Sequence, residues 1–480
     1  MKLYAIVVFL LWQIAVWAQS PVLVTLDAHE RGPAIPGDFI GLSFEASHLL
    51  PDANSNHLFR AENKPRVNLF RNTGIRHLRV GGGTVDIPRY AVAGRPDIDS
   101  LFAFAQAAGV KVIFSFRLLN GNKTNAAALA EYIWQHYRSQ LDSFSIGNEP
   151  DWKSYHNRDP NITNYPSFLA AWNDFAQTII ASVPDAKFSG PDTGSNFPVP
   201  GATDTRYDGL GWTPRFAADE RKSGICAAVL QHDYVGQSAN GVSVPTAVDA
   251  MLSANWIQTH YSALYNNVLA PVVADGLPYR LTECNDYTGG VKDASDAFSS
   301  ALWALDYMHW WAAHSCAGVN FHNRRGIPND TIYWNSTGTF GINPKGYGLK
   351  AFALGSHGNV ITSVKSSNPG HINVVCYAVG DATNLFVTIV NKTHGSGGTN
   401  VVVTIRPEHF TASNARFMML ESVPVSDCSA KRATLGGSPI TADTTWQGQW
   451  TSLSITNHNA CSVTVPAASA AIVSMFQTSF

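Results

Sequence analysis

Two glutamates stand where strand-like runs end, in Ser145-Ile146-Gly147-Asn148-Glu149-Pro150 and in Tyr279-Arg280-Leu281-Thr282-Glu283. A carboxyl group that follows an apolar strand loses hydration unless it is paired or used in chemistry. Two such groups facing each other can cleave a glycosidic bond, one protonating the leaving oxygen while the other acts on the anomeric carbon from the opposite side. At a separation of about 5–5.5 Å the second group is a nucleophile and configuration is retained. A single glutamate is most often a solvated or salt-bridged one, and it is the pairing at two strand ends that lifts these above that background. Asn148 is either a turn residue or a hydrogen-bond partner for a sugar 2-hydroxyl. In His232-Asp233-Tyr234, either His232 or Tyr234 could hydrogen-bond Glu283 and help keep it ionised, the alternative being a core tyrosine satisfied by backbone.

The elements that must hold these residues read as alternating strands and helices. Eight β-rich segments recur between residues 35 and 325: Phe39–Phe44, Ile75–Val80, Lys111–Phe116, Ser143–Ile146, Lys187–Ser189, Ala227–Tyr234, Tyr279–Thr282 and Gly318–Phe321. Between them Ile98–Ala108, Ala126–Arg138, Phe168–Val183 and Ala294–His314 carry apolar residues three and four apart, the spacing of helices with one buried face. Eight strands with crossover helices is the count of a TIM (β/α)8 barrel, in which active-site residues sit at the carboxyl ends of the strands. Residues 35–352 are therefore expected to form a catalytic barrel, with Pro191–Gly224 as a long loop on its active face. From 353 to 480 the pattern becomes short alternating runs, among them Ile372–Val379, Leu385–Val390, Asn400–Ile405, Ser452–Ile455 and Ala470–Met475, which predict an all-β domain. Val22–Leu26, in the stretch 19–34, alternates in the same way and is expected to pair with these strands.

With 45% hydrophobic and 14% charged residues, a chain of 480 residues can bury a large core and is neither disordered nor fibrous. A net charge of -2 without a dense Lys/Arg block argues against a nucleic-acid partner. Lys2, the apolar run Leu3–Trp17 broken only by Gln13, and Val16-Trp17-Ala18 read as a signal peptide over residues 1–18, which predicts a secreted or periplasmic protein. That run is too short for a membrane span, and no later segment reaches about 18 uninterrupted apolar residues. The six cysteines contain no CxxC, so neither a zinc nor a redox site is expected. Cys428 and Cys461 could pair in an oxidising compartment, while Cys226, Cys284 and Cys316 read as buried thiols. Gly81-Gly82-Gly83 has neither phosphate-loop spacing and reads as a tight strand exit, and His309, His314 and His322 include no HExxH. No cofactor and no metal are expected. Trp152, Tyr155, Tyr207, Trp212, Tyr333 and Trp334 fall in Gly/Asn/Pro-rich stretches, which predicts loop tips; such rings suit sugar faces, although most are expected to be structural.

The most specific stretch is Glu283-Cys284-Asn285-Asp286-Tyr287-Thr288-Gly289-Gly290, followed by Ser295-Asp296-Ala297-Phe298 and Ser300-Ala301-Leu302-Trp303-Ala304-Leu305-Asp306. Gly318-Val319-Asn320-Phe321-His322 adds to it, with Phe39–Glu45, Leu78-Arg79-Val80-Gly81-Gly82 and Asn148-Glu149-Pro150 in support. On these motifs most of residues 35–355 resembles glycoside hydrolase family 79, the β-glucuronidase and heparanase family of clan A. The resemblance implies that Glu149 is the acid/base, that Glu283 is the nucleophile, and that Glu45 binds a sugar hydroxyl. It also implies a β-sandwich built from the N-terminal strand and the C-terminal region.

Relatives acting on glucuronides bind the sugar carboxylate through amides and tyrosine hydroxyls from the loops after strands seven and eight. Gly289 and Gly290 match the first loop, whereas Tyr287 sits four residues beyond Glu283, and Thr288 holds the position where relatives place their tyrosine. After strand eight, His322-Asn323-Arg324-Arg325-Gly326 replaces a glycine-rich continuation before Tyr333. Arg324 or Arg325 is either a partner for a uronate carboxylate or a solvated loop arginine. The expectation is a retaining β-glucuronidase with a carbohydrate substrate as its partner. The alternatives are a clan A glycosidase for a neutral β-xyloside or β-glucoside, and a carbohydrate-binding barrel that has lost catalysis.

Overall fold

The computed structural model describes residues 21–152, 159–194, 211–335, 338–456 and 458–477. The signal-peptide run, Tyr155 and Tyr207 lie outside the described residues. Eight parallel strands close into a barrel in chain order: Ile40–Glu45, His77–Gly81, Lys111–Phe116, Leu141–Ile146, Phe188–Thr193, Cys226–Tyr234, Tyr279–Asn285 and Cys316–Asn323. The eighth pairs with the first, Val319 opposite Ile40 through Asn323 opposite Phe44. Each of the eight segments expected between residues 35 and 325 falls in this barrel, and Lys111–Phe116 agrees at both ends.

The helices form where apolar spacing and end chemistry agree. In Tyr165–Ser182 the Asn164 side chain accepts from the Ser167 amide at 3.0 Å, the Ser167 hydroxyl accepts in return from the Asn164 amide, and Pro166 sits in the first turn. Phe168, Trp172, Ala176 and Ile179 bury one stripe, and Trp172 packs edge-on against Phe188 of the fifth strand and Phe216. Truncating a fully buried Trp172 to alanine costs about 3–5 kcal/mol.

Beyond the barrel, two sheets face each other. One holds Lys365–Ser367, Val22–Asp27, Val401–Glu408 and Cys461–Val465, so the early strand does pair with C-terminal ones, parallel to Val401–Glu408. The other includes Arg31–Ala34, Val374–Gly380, Asn384–Asn391, Asn414–Ser422 and Ser469–Phe476. Its alternation is used on both faces: Val387, Ile389 and Val473 enter the core between the sheets, while Val390, Ala470 and Ile472 join the barrel's core. A buried ion pair, Lys392 to Asp306 at 2.8 Å, with the Tyr377 hydroxyl donating to the same carboxylate, fastens this sheet to barrel helix Ser299–Ala313.

Three expectations are corrected. Cys428 and Cys461 are free thiols: the Cys428 carbonyl receives the Ser299 amide at the barrel side, whereas Cys461 lies in the core between the two sheets. Trp212 is no loop tip, because it begins helix Trp212–Glu220 and is buried against Phe168 and Tyr165. Pro191–Gly224 is accordingly not one continuous loop, since strand five runs on to Thr193 and this helix occupies its later part.

Candidate active site

The carboxyl ends of the strands carry a connected set of charged side chains. Glu149 follows the fourth strand by way of Gly147, whose φ of +84° is left-handed and whose missing Cβ would stand 3.1 Å from Leu118. Asp86 secures this turn, accepting the Asn148 amide on one oxygen and the Leu118 and Leu119 amides on the other. Glu149 itself has φ +47°, and its amide donates to the Asp192 carbonyl at 2.9 Å.

Glu283 lies within the seventh strand, opposite His232 of the sixth. The register slips between Gln231 and His232, a bulge that leaves Thr282 unpaired and turns both Thr282 and Glu283 toward polar partners of the site. On the sixth strand the period of two sends His232 and Tyr234 inward and Asp233 outward, to His260 and Tyr307. Side-chain atoms of Glu149, His232 and Glu283 all come within 4.8 Å of one another.

Tyr234 donates its hydroxyl to Oε1 of Glu283 at 2.9 Å, so of the two expected partners it is the tyrosine that makes this bond. Burial and then the Glu283 charge push the phenol well above its ordinary pKa, which keeps it a donor. His232 turns elsewhere. Its Nδ1 is 2.9 Å from Oε1 of Glu149 and its Nε2 is 3.0 Å from Oδ1 of Asp192. Burial opposes charge on the ring, but Asp192 and Glu283, with the hydrogen bonds to Asp192 and Glu149, raise His232 to about 10. As an imidazolium the ring donates from both nitrogens, one to each carboxyl group.

Arg79 of the second strand was missing from the residues expected in the site. It is fully buried, donates from Nη1 to Oε2 of Glu283 at 2.8 Å and to Ser43 Oγ, and from Nη2 to Asn148 Oδ1 at 2.6 Å and to Asp192. Asp192, also missing, takes Arg79, His232 and the Thr282 hydroxyl on one buried carboxylate. Burial would raise it, yet Arg79 and His232 hold it far below the usual carboxylate range. Burial would likewise raise Glu283, but His322, His232 and Arg79 hold it down, and it remains an anion. The signal in the sequence was an arginine inside an apolar strand, which is costly unless several acceptors meet it.

Glu45 ends the first strand and accepts the Thr84 amide at 2.8 Å, close against Gly82, where a Cβ would stand 2.7 Å from Oε2. His322 lies 3.7 Å from both Glu45 and Glu283. Burial would raise Glu45, but His322 and Thr84 outweigh it and hold the carboxyl at about 2.

The other expected binding residues are placed less centrally. Tyr287 is buried edge-on to Trp256, its ring filling the space beside Gly236. Gly289 and Gly290 are both left-handed, and Gly290 passes so near Asn329 that a Cβ would meet its amide at 2.7 Å. Arg324 and Arg325 are exposed, and the Arg324 amide donates to Asp330. Tyr333 is 43% exposed on the ribbon Ile332–Trp334 with Phe340–Ile342, beside a cavity of about 620 Å³ in which neither glutamate takes part.

A closed parallel barrel with a buried acidic cluster at its carboxyl ends defines the class: the chain has the fold of TIM barrel glycosidases. No protein-family model matches the chain, and no curated protein matches it in sequence. Solved structures do match. A 4-O-α-L-rhamnosyl-β-D-glucuronidase from Fusarium oxysporum 12S superposes with a TM-score of 0.70 at 17% identity, over 94% of this chain and 99% of that one. A family 51 arabinofuranosidase from Xanthomonas axonopodis pv. citri gives 0.64 at 11% identity, over 95% and 99%. A monomeric β-xylosidase from Caulobacter crescentus CB15 gives 0.58 at 13%, over 95% and 100%. At these identities the likeness is one of fold.

Proposed function

We propose that the protein is a retaining glycoside hydrolase that releases terminal β-linked glucuronic acid, with Glu149 as acid/base and Glu283 as nucleophile. The observation that carries the retaining mechanism is that an oxygen of Glu149 and an oxygen of Glu283 lie within 4.8 Å of each other, the close approach expected of a retaining pair, whose carboxyl groups stand about 5–5.5 Å apart. In the first step Glu283 bonds to the anomeric carbon, the glycosidic C–O bond breaks, and the proton of Glu149 passes to the leaving oxygen. In the second, Glu149 takes a proton from water, the water oxygen bonds to the anomeric carbon, and the ester to Glu283 breaks.

Support for glucuronate comes from the family 79 resemblance and from the Fusarium neighbour. A panel of p-nitrophenyl glycosides tests it. The β-glucuronide is expected to be hydrolysed in preference to the β-glucoside, β-xyloside and α-arabinofuranoside. Preference for a neutral sugar would replace the uronate reading, and failure on every glycoside would leave a binding barrel. Export after cleavage at Ala18 is also proposed, and N-terminal sequencing of the mature protein tests it.

A further inference from the structure

We propose that Asp192 and His232 are positioning residues for Glu149: held between the two carboxylates, the His232 ring occupies Oε1 of Glu149 and leaves Oε2 as the oxygen that carries the proton to and from the leaving group. This rests on the reading of Glu149 as acid/base and assigns that role to one of its two oxygens.

The geometry has three parts. His232 is fully buried and has a carboxylate oxygen at each nitrogen, 2.9 Å to Glu149 and 3.0 Å to Asp192. A neutral ring could donate to only one of them, whereas the charged ring that Asp192 and Glu283 favour donates to both, and Oε1 of Glu149 accepts from it whether or not Oε2 carries a proton. Asp192 cannot swing away, because Arg79 and Thr282 hold the same carboxylate and its carbonyl receives the Glu149 amide. Asp192 thus grips Glu149 twice, by backbone and through the ring, from a left-handed backbone with φ +62°. Among the described residues no hydrogen bond reaches Oε2 of Glu149, whose side chain is 24% exposed. That oxygen is the one a substrate can meet.

A positioning role for the acid differs from a structural role in its dependence on the leaving group. A phenolate of high basicity needs the proton, whereas 2,4-dinitrophenolate departs without it. The experiment compares kcat/KM, which reports the steps through first bond cleavage, for phenyl and 2,4-dinitrophenyl β-glucuronide. His232→Phe is expected to lose at least about 10-fold more on the phenyl substrate than on the dinitrophenyl one, since any effect through Glu283 falls on both alike, within the range that general acid catalysis supplies. His232→Gln, which keeps one donor, is expected to fall between wild type and His232→Phe on the phenyl substrate. Asp192→Asn, which keeps the shape, is expected to show the same split. Equal losses on both substrates in folded His232→Phe and His232→Gln would overturn the positioning role. Wild-type enzyme inactive on both substrates would instead overturn the proposed function, so the two failures are distinguishable.

Discussion

Arg79 donates to Oε2 of Glu283 at 2.8 Å while its other terminal nitrogen reaches Asn148 and Asp192, so one buried guanidinium touches both sides of the site. The two glutamates, more than a hundred residues apart in the chain, share a single electrostatic framework.

Removing that cation should be costly. Arg79→Met leaves Asp192 as a buried anion without its main partner and removes the ion pair at 2.8 Å from Glu283, and a loss of about 3–5 kcal/mol in urea unfolding is expected. A change below about 1 kcal/mol would show that the pairs contribute little.

The Tyr234 hydroxyl supplies one hydrogen bond to a charged acceptor, worth about 1.5–3 kcal/mol. Tyr234→Phe is therefore expected to lower kcat/KM roughly 10- to 100-fold, at about tenfold per 1.36 kcal/mol, with the melting temperature little changed. Unaltered kinetics would show that the bond does not act on the nucleophile.

Glu149→Ala and Glu283→Ala should each lower turnover by at least about 10²-fold. Azide is expected to rescue Glu283→Ala with an α-glycosyl azide, because it attacks from the nucleophile's face. Rescue of Glu149→Ala should give the β-azide, because the glycosyl-enzyme still forms first. Product NMR distinguishes the anomers, and reversed products would exchange the two roles.

Glu45 links the site to acid stability. Its carboxyl sits at about 2 in the folded protein against an ordinary 4.5, so its contribution is full above pH 4.5 and is lost as pH falls toward 2. The wild type should exceed Glu45→Gln by on the order of 3 kcal/mol at neutral pH, and the gap should close across that window. A gap that does not vary with pH would place the effect in packing.

The barrel was legible because its strands are buried on both faces and read as apolar runs, as Lys111–Phe116 does. Where strands turn polar the reading stopped short. Strand seven continues through Glu283-Cys284-Asn285, and strand five through Gly190-Pro191-Asp192-Thr193, a tripeptide and its neighbour that look like a turn. Asp192 was lost for that reason. Arg79 looked like any charged residue, since nothing local reveals the acceptors that converge on it from strands four, five and seven. His232 was seen, but its choice of Glu149 over Glu283 depends on Asp192 behind it. Trp212 was misread because a Gly/Pro-rich stretch also suits a helix with proline in its first turn.

The most direct measurement is covalent trapping with 2-deoxy-2-fluoro-β-glucuronosyl fluoride, followed by peptide mass spectrometry. Time-dependent inactivation with a single fluorosugar on Glu283 is the expected result. Turnover of glucuronides without any trapped ester, or a label on a different residue, would contradict the assignment of Glu283 as the nucleophile of a retaining enzyme.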